Sequence, residues 1–266
     1  MNDLLLSEIS APRRALLNQF LLLENSIFGQ SSDIEKTLEP IVKSCRLAVD
    51  ECENSMDRAE VFINEIFISQ LLIDNERPIW PVLSYQTSKS IDYKIVAPVV
   101  KAAIIQYVAN ACELEVEIVY LPEKVMVRIL CDDVYSIVFD PVNGESLNWQ
   151  ELEQGLDELG GDPSRVFLEP MEQESIVVEY LTGLKSSLIH EQRFDQALKC
   201  VDLLLSMRPD DPFERRDRGF LLHQLDCFKV AYDDYQYFVE QCPKDPAAQL
   251  LKLQLDKISV KDTVLH

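Results

Sequence analysis

The fold class is decided by residues 116–144, VEIVYLPEKVMVRILCDDVYSIVFDPVNG. This stretch contains three short segments rich in β-branched residues, each bounded by polar or proline-containing pairs: residues 116–121, 125–131 and 134–140. Such segments predict antiparallel strands joined by hairpins. The closing run from Asp140 to Gly144 has the composition of a turn. We therefore predict an α+β protein, mainly helical, with this short antiparallel sheet as its β component.

Helical patterns lie on both sides of the predicted sheet. Residues 96–112 are apolar nearly all round, which predicts a buried helix. Further upstream, apolar residues at helical spacing predict helices over 34–52 and 57–73, and Pro40 is a point where the first of these can break. After the sheet, residues 149–159 are predicted to form another helix.

The C-terminal third contains an internal repeat. The sequence RPDDP at 208–212 returns as CPKDP at 242–246, 34 positions later, and Ala197 maps onto Ala231 at the same offset. A period of 34 with this placement of alanine and proline is the tetratricopeptide pattern, in which helix pairs stack on one another. Gly219 occupies a small-residue position where the first copy has Lys185. We predict two repeats followed by a capping helix over 247–258.

These patterns divide the chain into three predicted parts. They are an N-terminal helical segment (1–56), an α+β core (57–165) and the repeat region with its cap (174–258). Acidic charge is concentrated in front of the repeats, since residues 1–170 have 13 basic and 29 acidic side chains and residues 171–266 have 12 and 17.

Composition excludes several classes of partner. The formal net charge of −21 argues against nucleic acid and against an anionic membrane surface, both of which need basic residues. The N-terminus lacks the features of a signal peptide, and seven scattered cysteines without a CxxC pair favour reduced thiols, so a cytoplasmic location is expected. No cofactor is predicted, and no metal: Asp132 and Asp133 suit a solvated turn better than a cation site.

Several short stretches of the sequence resemble the SirB1 family of bacterial proteins. In the core they are VAN at 108–110, LPEKVMVR at 121–128 and FDPVNGE at 139–145. In the tail they are RDRG at 216–219, QLD at 224–226, VEQCP at 239–243 and VLH at 264–266. The resemblance implies a transglutaminase-like (papain-like) core followed by tetratricopeptide repeats, and some members of the family are described as regulators.

The resemblance also implies where a catalytic Cys-His-Asp triad would lie, with the cysteine opening the buried helix and the histidine at a strand start. This chain has Pro98 at the first position and Lys124 at the second, and only Asp140 matches. Its histidines are His190, His223 and His266, so residues 1–189 contain none. We therefore expect a non-catalytic protein, in which Lys124 and Asp140 form an ion pair in the degenerate site.

One basic cluster in this acidic chain is a candidate partner-binding site: Arg215, Arg216 and Arg218. By repeat position, Arg216 and Phe220 should face the groove of the repeats with His223 near it, where arginine can clamp a peptide carboxylate. Arg218 should be buried and paired, and a carboxylate of the core is one expected partner. Interdomain ion pairing and ligand capture both remain open.

The sequence thus favours a cytosolic protein-interaction module without turnover, whose partner is a protein or peptide. The alternative is a divergent hydrolase or acyltransferase that uses a thiol elsewhere, paired with a histidine of the repeats. A third possibility, regulation of gene expression, depends on the family resemblance alone, and the charge favours an indirect route through another protein.

Overall fold

The computed structural model describes residues 2–9, 15–29, 33–121, 124–147 and 169–262. The chain divides into two compact units, Pro12–Tyr180 and Met1–Ala11 together with Leu181–His266. In chain order, the helices before the sheet are α1 (Asn2–Ile9), α2 (Leu16–Phe28), α3 (Ile34–Asp50), α4 (Ser55–Asn64), α5 (Thr87–Tyr93) and α6 (Pro98–Ala111). Those after it are α7 (Gln173–His190), α8 (Phe194–Met207), α9 (Pro212–Gln224), α10 (Phe228–Gln241) and α11 (Pro246–Asp262).

The predicted sheet is confirmed as three antiparallel strands in the order β1 (Glu115–Leu121), β2 (Lys124–Leu130) and β3 (Ser136–Phe139). The third strand begins two residues later than predicted, because the Asp132 carboxylate accepts hydrogen bonds from the N–H groups of Val134 and Tyr135. This local turn competes with strand pairing. It also agrees with the prediction that Asp132 belongs to a turn.

Helix α6 is the centre of the first unit. As predicted, it is apolar and buried on nearly every side, and it packs against β1, β2, α2 and α3. Its first residue is Pro98, whose missing N–H costs nothing at a helix start. Lys101 is fully buried in this helix, which the apolar pattern did not predict.

The N-terminal segment is not a separate part, contrary to the predicted boundary at residue 56. Residues 12–56 belong to the same unit as the sheet, because α2 and α3 bury their apolar faces against α6. Helix α1 belongs instead to the unit of the repeats and packs on α8.

Helix α3 continues through Pro40, so the suggested break does not occur. The proline leaves the carbonyl of Lys36 without its usual helical donor, but both residues are exposed and water can take that place. The opposite face of the helix is buried and holds it together, through Ile34, Leu38, Ile41, Cys45 and Val49. The next predicted helix is also shorter than expected, since α4 ends at Asn64 and a π-helical turn follows over Glu65–Ser69.

The predicted repeats are confirmed as two helix pairs, α7 with α8 and α9 with α10, followed by α11. Helices α9 and α11 both begin at a proline, Pro212 and Pro246, which are 34 positions apart as the repeat requires. Gly219 allows close contact between α9 and α10, because a Cβ atom there would lie 2.8 Å from the ring of Tyr235.

Among the described residues, no individual helix is both long and apolar enough to cross a membrane. One bent pair, α5 with α6, reaches that length and apolarity jointly, with 93° between the two helices. The helix predicted over 149–159 lies outside the described residues.

Candidate functional site

The three residues at the positions that the family resemblance assigns to a triad line one cleft of the first unit, with a volume of about 340 Å³. Pro98 opens α6, Lys124 opens β2, and Asp140 directly follows β3. Antiparallel pairing of β2 with β3 places the start of one strand beside the end of the other. The other residues that line the cleft are Glu76, Arg77, Pro78, Trp80, Tyr85, Val99, Val125, Val142 and Glu179.

Lys124 is held between two carboxylates. Its Nζ atom lies 3.7 Å from Oδ2 of Asp140, which confirms the predicted ion pair, and it forms a second ion pair with Glu76. The hydrogen bond to Glu76 and the negative charges of both partners raise the pKa of Lys124 above its ordinary value. The side chain is therefore a protonated donor at neutral pH and has no lone pair with which to accept a proton.

Asp140 stabilises the turn that follows β3. Its Oδ1 atom accepts a hydrogen bond of 2.7 Å from the N–H of Val142, and its carbonyl accepts one of 2.8 Å from Gly144. Gly144 has φ of +79°, and a Cβ atom there would lie 2.6 Å from the ring of Phe67. The prediction that Asp140 is a turn residue is thus confirmed, and the same carboxylate also pairs with Lys124.

The buried Lys101 ties two backbone segments together beneath this site. Its Nζ atom donates hydrogen bonds to the carbonyls of Leu72, at 2.6 Å, and Val142, at 3.0 Å. Burial lowers the pKa of Lys101 to about 8, although the negative charges of Asp74 and Asp140 act in the opposite direction. Sequence reasoning missed this residue, and the available signal was a lysine on an otherwise apolar helix, three positions after Pro98.

The remaining charges of the cleft are mixed. Arg77 donates to Asp74 at 2.8 Å, and its guanidinium lies 5.4 Å from the ring centre of Trp80. Burial raises the pKa of the Glu179 carboxyl above its usual range. None of the described residues that line the cleft is a cysteine, histidine, serine or threonine, so the usual protein nucleophiles and the usual base are absent from this lining.

Four cysteines elsewhere, three of them buried and Cys131 half-buried, are poor nucleophiles. Burial raises the pKa of the Cys45 thiol to about 12 and raises the pKa values of Cys112, Cys131 and Cys200 as well. Within the described part of the chain no hydrogen bond joins a cysteine to a histidine, and His266 falls outside it. The thiolate, which is the reactive form, is therefore disfavoured at these four positions.

The arginine cluster of the second unit is paired within the repeats. Arg218 binds the buried carboxylate of Asp234 through two hydrogen bonds of 2.7 Å, so the expected partner from the core is wrong. The reason is repeat packing: α9 and α10 bring Arg218 and Asp234 together across their shared interface. Arg215 approaches the same carboxylate at 3.5 Å. As predicted, Arg218 is paired, but its side chain is 24% exposed rather than fully buried.

Arg216 is also neutralised locally. It donates to Oδ1 of Asp217 at 2.8 and 3.0 Å, and the other oxygen of Asp217 accepts from the buried Lys185 at 2.8 Å. Lys185 also binds Glu214, at 2.8 and 2.9 Å. The four cations thus form two clusters within the repeats, one in which Arg215 and Arg218 share Asp234 and one in which Arg216 and Lys185 share Asp217. The acidic residues of α9 and α10 are the sequence signal that could have indicated these partners.

The two remaining partner-binding candidates, Phe220 and His223, each form an aromatic contact. The ring of Phe220 meets that of Phe194 edge to face, and Phe220 stays 37% exposed. The imidazole of His223 meets Phe228 in the same manner, with ring centres 5.3 Å apart. That Phe220, His223 and Arg216 face a ligand groove stays a prediction.

A cleft at these positions beside a short antiparallel sheet, followed by stacked helix pairs, defines a transglutaminase-like protein with repeats. The chain belongs to the transglutaminase-like superfamily, whose family model matches residues 32–182, and a tetratricopeptide repeat model matches residues 184–256.

Relatives confirm the resemblance to the SirB1 family. The chain is 36% identical over 167 residues to UPF0162 protein YchA of Escherichia coli and 35% identical over 167 residues to Protein SirB1 of Salmonella typhimurium. It is 35% identical over 165 residues to a UPF0162 protein of Vibrio cholerae. Each match covers 61–62% of this chain, and the chain spans the same share, less than two thirds, of each relative. No solved structure matches the chain.

Proposed function

We propose that this chain is a non-catalytic member of the superfamily, and that it acts as a cytoplasmic protein-interaction or regulatory protein through its repeats. One observation carries the first half of the proposal. Lys124 takes the place where the resemblance puts the base of the family; it is paired with two carboxylates and lines the same cleft as Pro98, which takes the place of the nucleophile.

A lysine serves as a base only when desolvation lowers its pKa toward neutral pH. At Lys124 the pKa is raised, so the same side chain stays charged and forms ion pairs instead. Lys101 has the lowered pKa, but it is fully buried and donates to two carbonyls, so it does not reach a substrate in the cleft. These properties favour a binding role for the cleft over turnover.

Support for the interaction role comes from the second unit. Stacked helix pairs present extended surfaces suited to peptides and protein segments. Phe213, Phe220 and Phe228 are between 37% and 52% exposed there, and exposed aromatic side chains are common at binding surfaces. The net charge of −21 favours a protein or peptide over nucleic acid or an anionic membrane, so a regulatory effect on gene expression would act through another protein.

The proposal is tested with a panel of thiol-hydrolase, amidase and amine-transfer substrates. The full chain is assayed beside Lys124→Met and a variant with all seven cysteines changed to serine. We expect no turnover above background in any of the three proteins. Turnover that one of these substitutions abolishes would contradict the proposal and support a divergent hydrolase or acyltransferase.

The interaction role is tested separately by affinity capture from the native host. Arg216→Glu reverses the charge of a half-exposed side chain of α9, and Lys94→Glu, at an exposed lysine of the other unit, is the charge control. A partner recovered with the unchanged chain and with Lys94→Glu, and lost with Arg216→Glu, is the expected result. Recovery that is equal with all three proteins would contradict a role for this face of the repeats.

A further inference from the structure

Helix α11 occupies the place of the first helix in a third repeat. It begins at Pro246, 34 positions after Pro212 begins α9. It also packs on the preceding pair with the equivalent face. In α9 that face consists of Glu214, Asp217 and Leu221. In α11 it consists of Ala248, Leu251 and Leu255, of which Leu251 and Leu255 pack in one cluster with Ala231 and Tyr235.

The other face of α11 differs from its counterparts because, within the described residues, no second helix covers it. Lys185 in α7, Gly219 in α9 and Leu253 in α11 are equivalent positions. The first two are buried, whereas Leu253 is 62% exposed. One turn before it, Leu250 is 64% exposed.

The neighbouring position shows the same contrast. Leu184 in α7 is fully buried, and Arg218 in α9 binds Asp234 of α10. The equivalent residue of α11 is Lys252, which is exposed and has no ion pair among the described residues. We call Leu250, Lys252 and Leu253 the open face of α11.

We propose that the open face of α11 docks one amphipathic helix from a partner protein, in the position that α10 takes on α9. The α9–α10 pair defines what that helix must carry. Asp234 binds Arg218, and the adjacent Tyr235 fills the space above Gly219. On α11 the cation is Lys252, and the Leu253 side chain fills the space above the backbone. The partner helix therefore has an acidic residue followed directly by a small one.

A second copy of this chain is a poorer occupant. In a symmetric pairing the open face of one copy meets the open face of the other, and that face carries no acidic residue to pair with Lys252. The net charge of −21 adds repulsion between copies. The proposal rests on the interaction role of the repeats, and it adds the surface and the chemistry of the partner.

The test uses the full chain and a synthetic helical peptide with the sequence of residues 228–241, in two forms. One form keeps Tyr235 and the other carries Tyr235→Ala. Fluorescence anisotropy of labelled peptide measures binding to the unchanged chain and to Leu253→Gly. We expect the unchanged chain to prefer the Tyr235→Ala peptide by about tenfold, and Leu253→Gly to prefer the peptide with tyrosine.

Two further variants locate the contact. Leu253→Asp should weaken binding of the Tyr235→Ala peptide at least about tenfold, while Leu47→Asp, at an equally exposed leucine of α3, leaves it unchanged. Lys252→Glu should weaken it also, and a peptide with Asp234→Lys should recover the loss.

Three outcomes would overturn the proposal. They are no binding of either peptide at millimolar concentration, binding that Leu253→Asp leaves unchanged, and a dimer in sedimentation that Leu253→Asp dissociates. Each is distinct from failure of the proposed function, because the turnover assays and the Arg216→Glu capture do not involve α11.

Discussion

Lys124 and Asp140 meet at one end of the sheet, with Nζ of the lysine 3.7 Å from Oδ2 of the aspartate. In a catalytic relative this pair would be an imidazole and its orienting carboxylate. Here Glu76 completes a three-residue ion cluster, and the raised pKa of Lys124 keeps the pair charged. The lysine thus lies beside the aspartate as a charged donor, which supports the proposal of a non-catalytic site.

Lys101 gives the free energy of unfolding a distinctive pH dependence. Its pKa is about 8 in the folded chain, against 10.5 for an ordinary lysine, so between these values the unfolded chain binds more protons. The free energy of unfolding should therefore rise with pH in this window, by up to about 3 kcal/mol. Below pH 8 Lys101 is protonated in both states, so it should add no pH dependence there.

Urea unfolding of the unchanged chain and of Lys101→Met between pH 7 and 10 measures this dependence. The difference in stability between the two proteins should change in favour of the unchanged chain as pH rises. Two curves that stay parallel across the window would show that Lys101 titrates normally.

Position 144 requires glycine for two reasons, its positive φ angle and the close approach of the Phe67 ring. Gly144→Ala places a Cβ atom 2.6 Å from the ring of Phe67 at φ of +79°, so we expect a loss of about 2–4 kcal/mol in stability. Gly29→Ala is the control, since Gly29 has φ of +66° and open space around it, and should lose only about 1 kcal/mol.

Thermal or urea unfolding compares the two alanine variants directly. Adding Phe67→Leu to Gly144→Ala should restore part of the loss by relieving the contact. Equal losses for Gly144→Ala and Gly29→Ala would mean that Phe67 moves away without cost.

The arginines of the cluster should differ sharply in their effect on stability. Arg218→Met leaves the buried Asp234 carboxylate with only the 3.5 Å contact to Arg215, and we expect a loss of about 2–3 kcal/mol. Arg216→Met removes a pair that is one-third exposed and should cost less than about 1 kcal/mol. Denaturant unfolding of both variants distinguishes these roles, and losses of similar size would contradict the assignment of Arg218 to repeat packing.

The sequence predicted those features that depend on local periodicity. Three β-branched segments became β1, β2 and β3, and the 34-residue repeat located the helix pairs, because both patterns report which face of an element is buried. The placement of Pro98, Lys124 and Asp140 in one cleft followed from the family resemblance, which supplied the long-range arrangement that periodicity lacks.

The missed features are contacts between residues far apart in the chain. Glu76 pairs with Lys124 across 48 positions, and the carbonyl that binds Lys101 belongs to Leu72, 29 positions away. Neither segment has a pattern that indicates its neighbour. A carboxylate of the core is one partner that the sequence suggests for Arg218, whereas the repeat geometry alone brings Asp234 of the next helix to it. The suggested break at Pro40 does not occur, because the exposed position of this proline makes the lost hydrogen bond inexpensive.

We propose that Pro98, Lys124 and Asp140 stand at the positions of a degenerate triad. The most direct measurement is the pH profile of iodoacetamide alkylation of the thiol introduced by Pro98→Cys, with and without Lys124→His, in a chain whose native cysteines are changed to serine. We predict that a thiol at this helix start, once beside an imidazole oriented by Asp140, titrates well below the ordinary thiol value of about 8.5. An unchanged pKa on adding Lys124→His would contradict the claim.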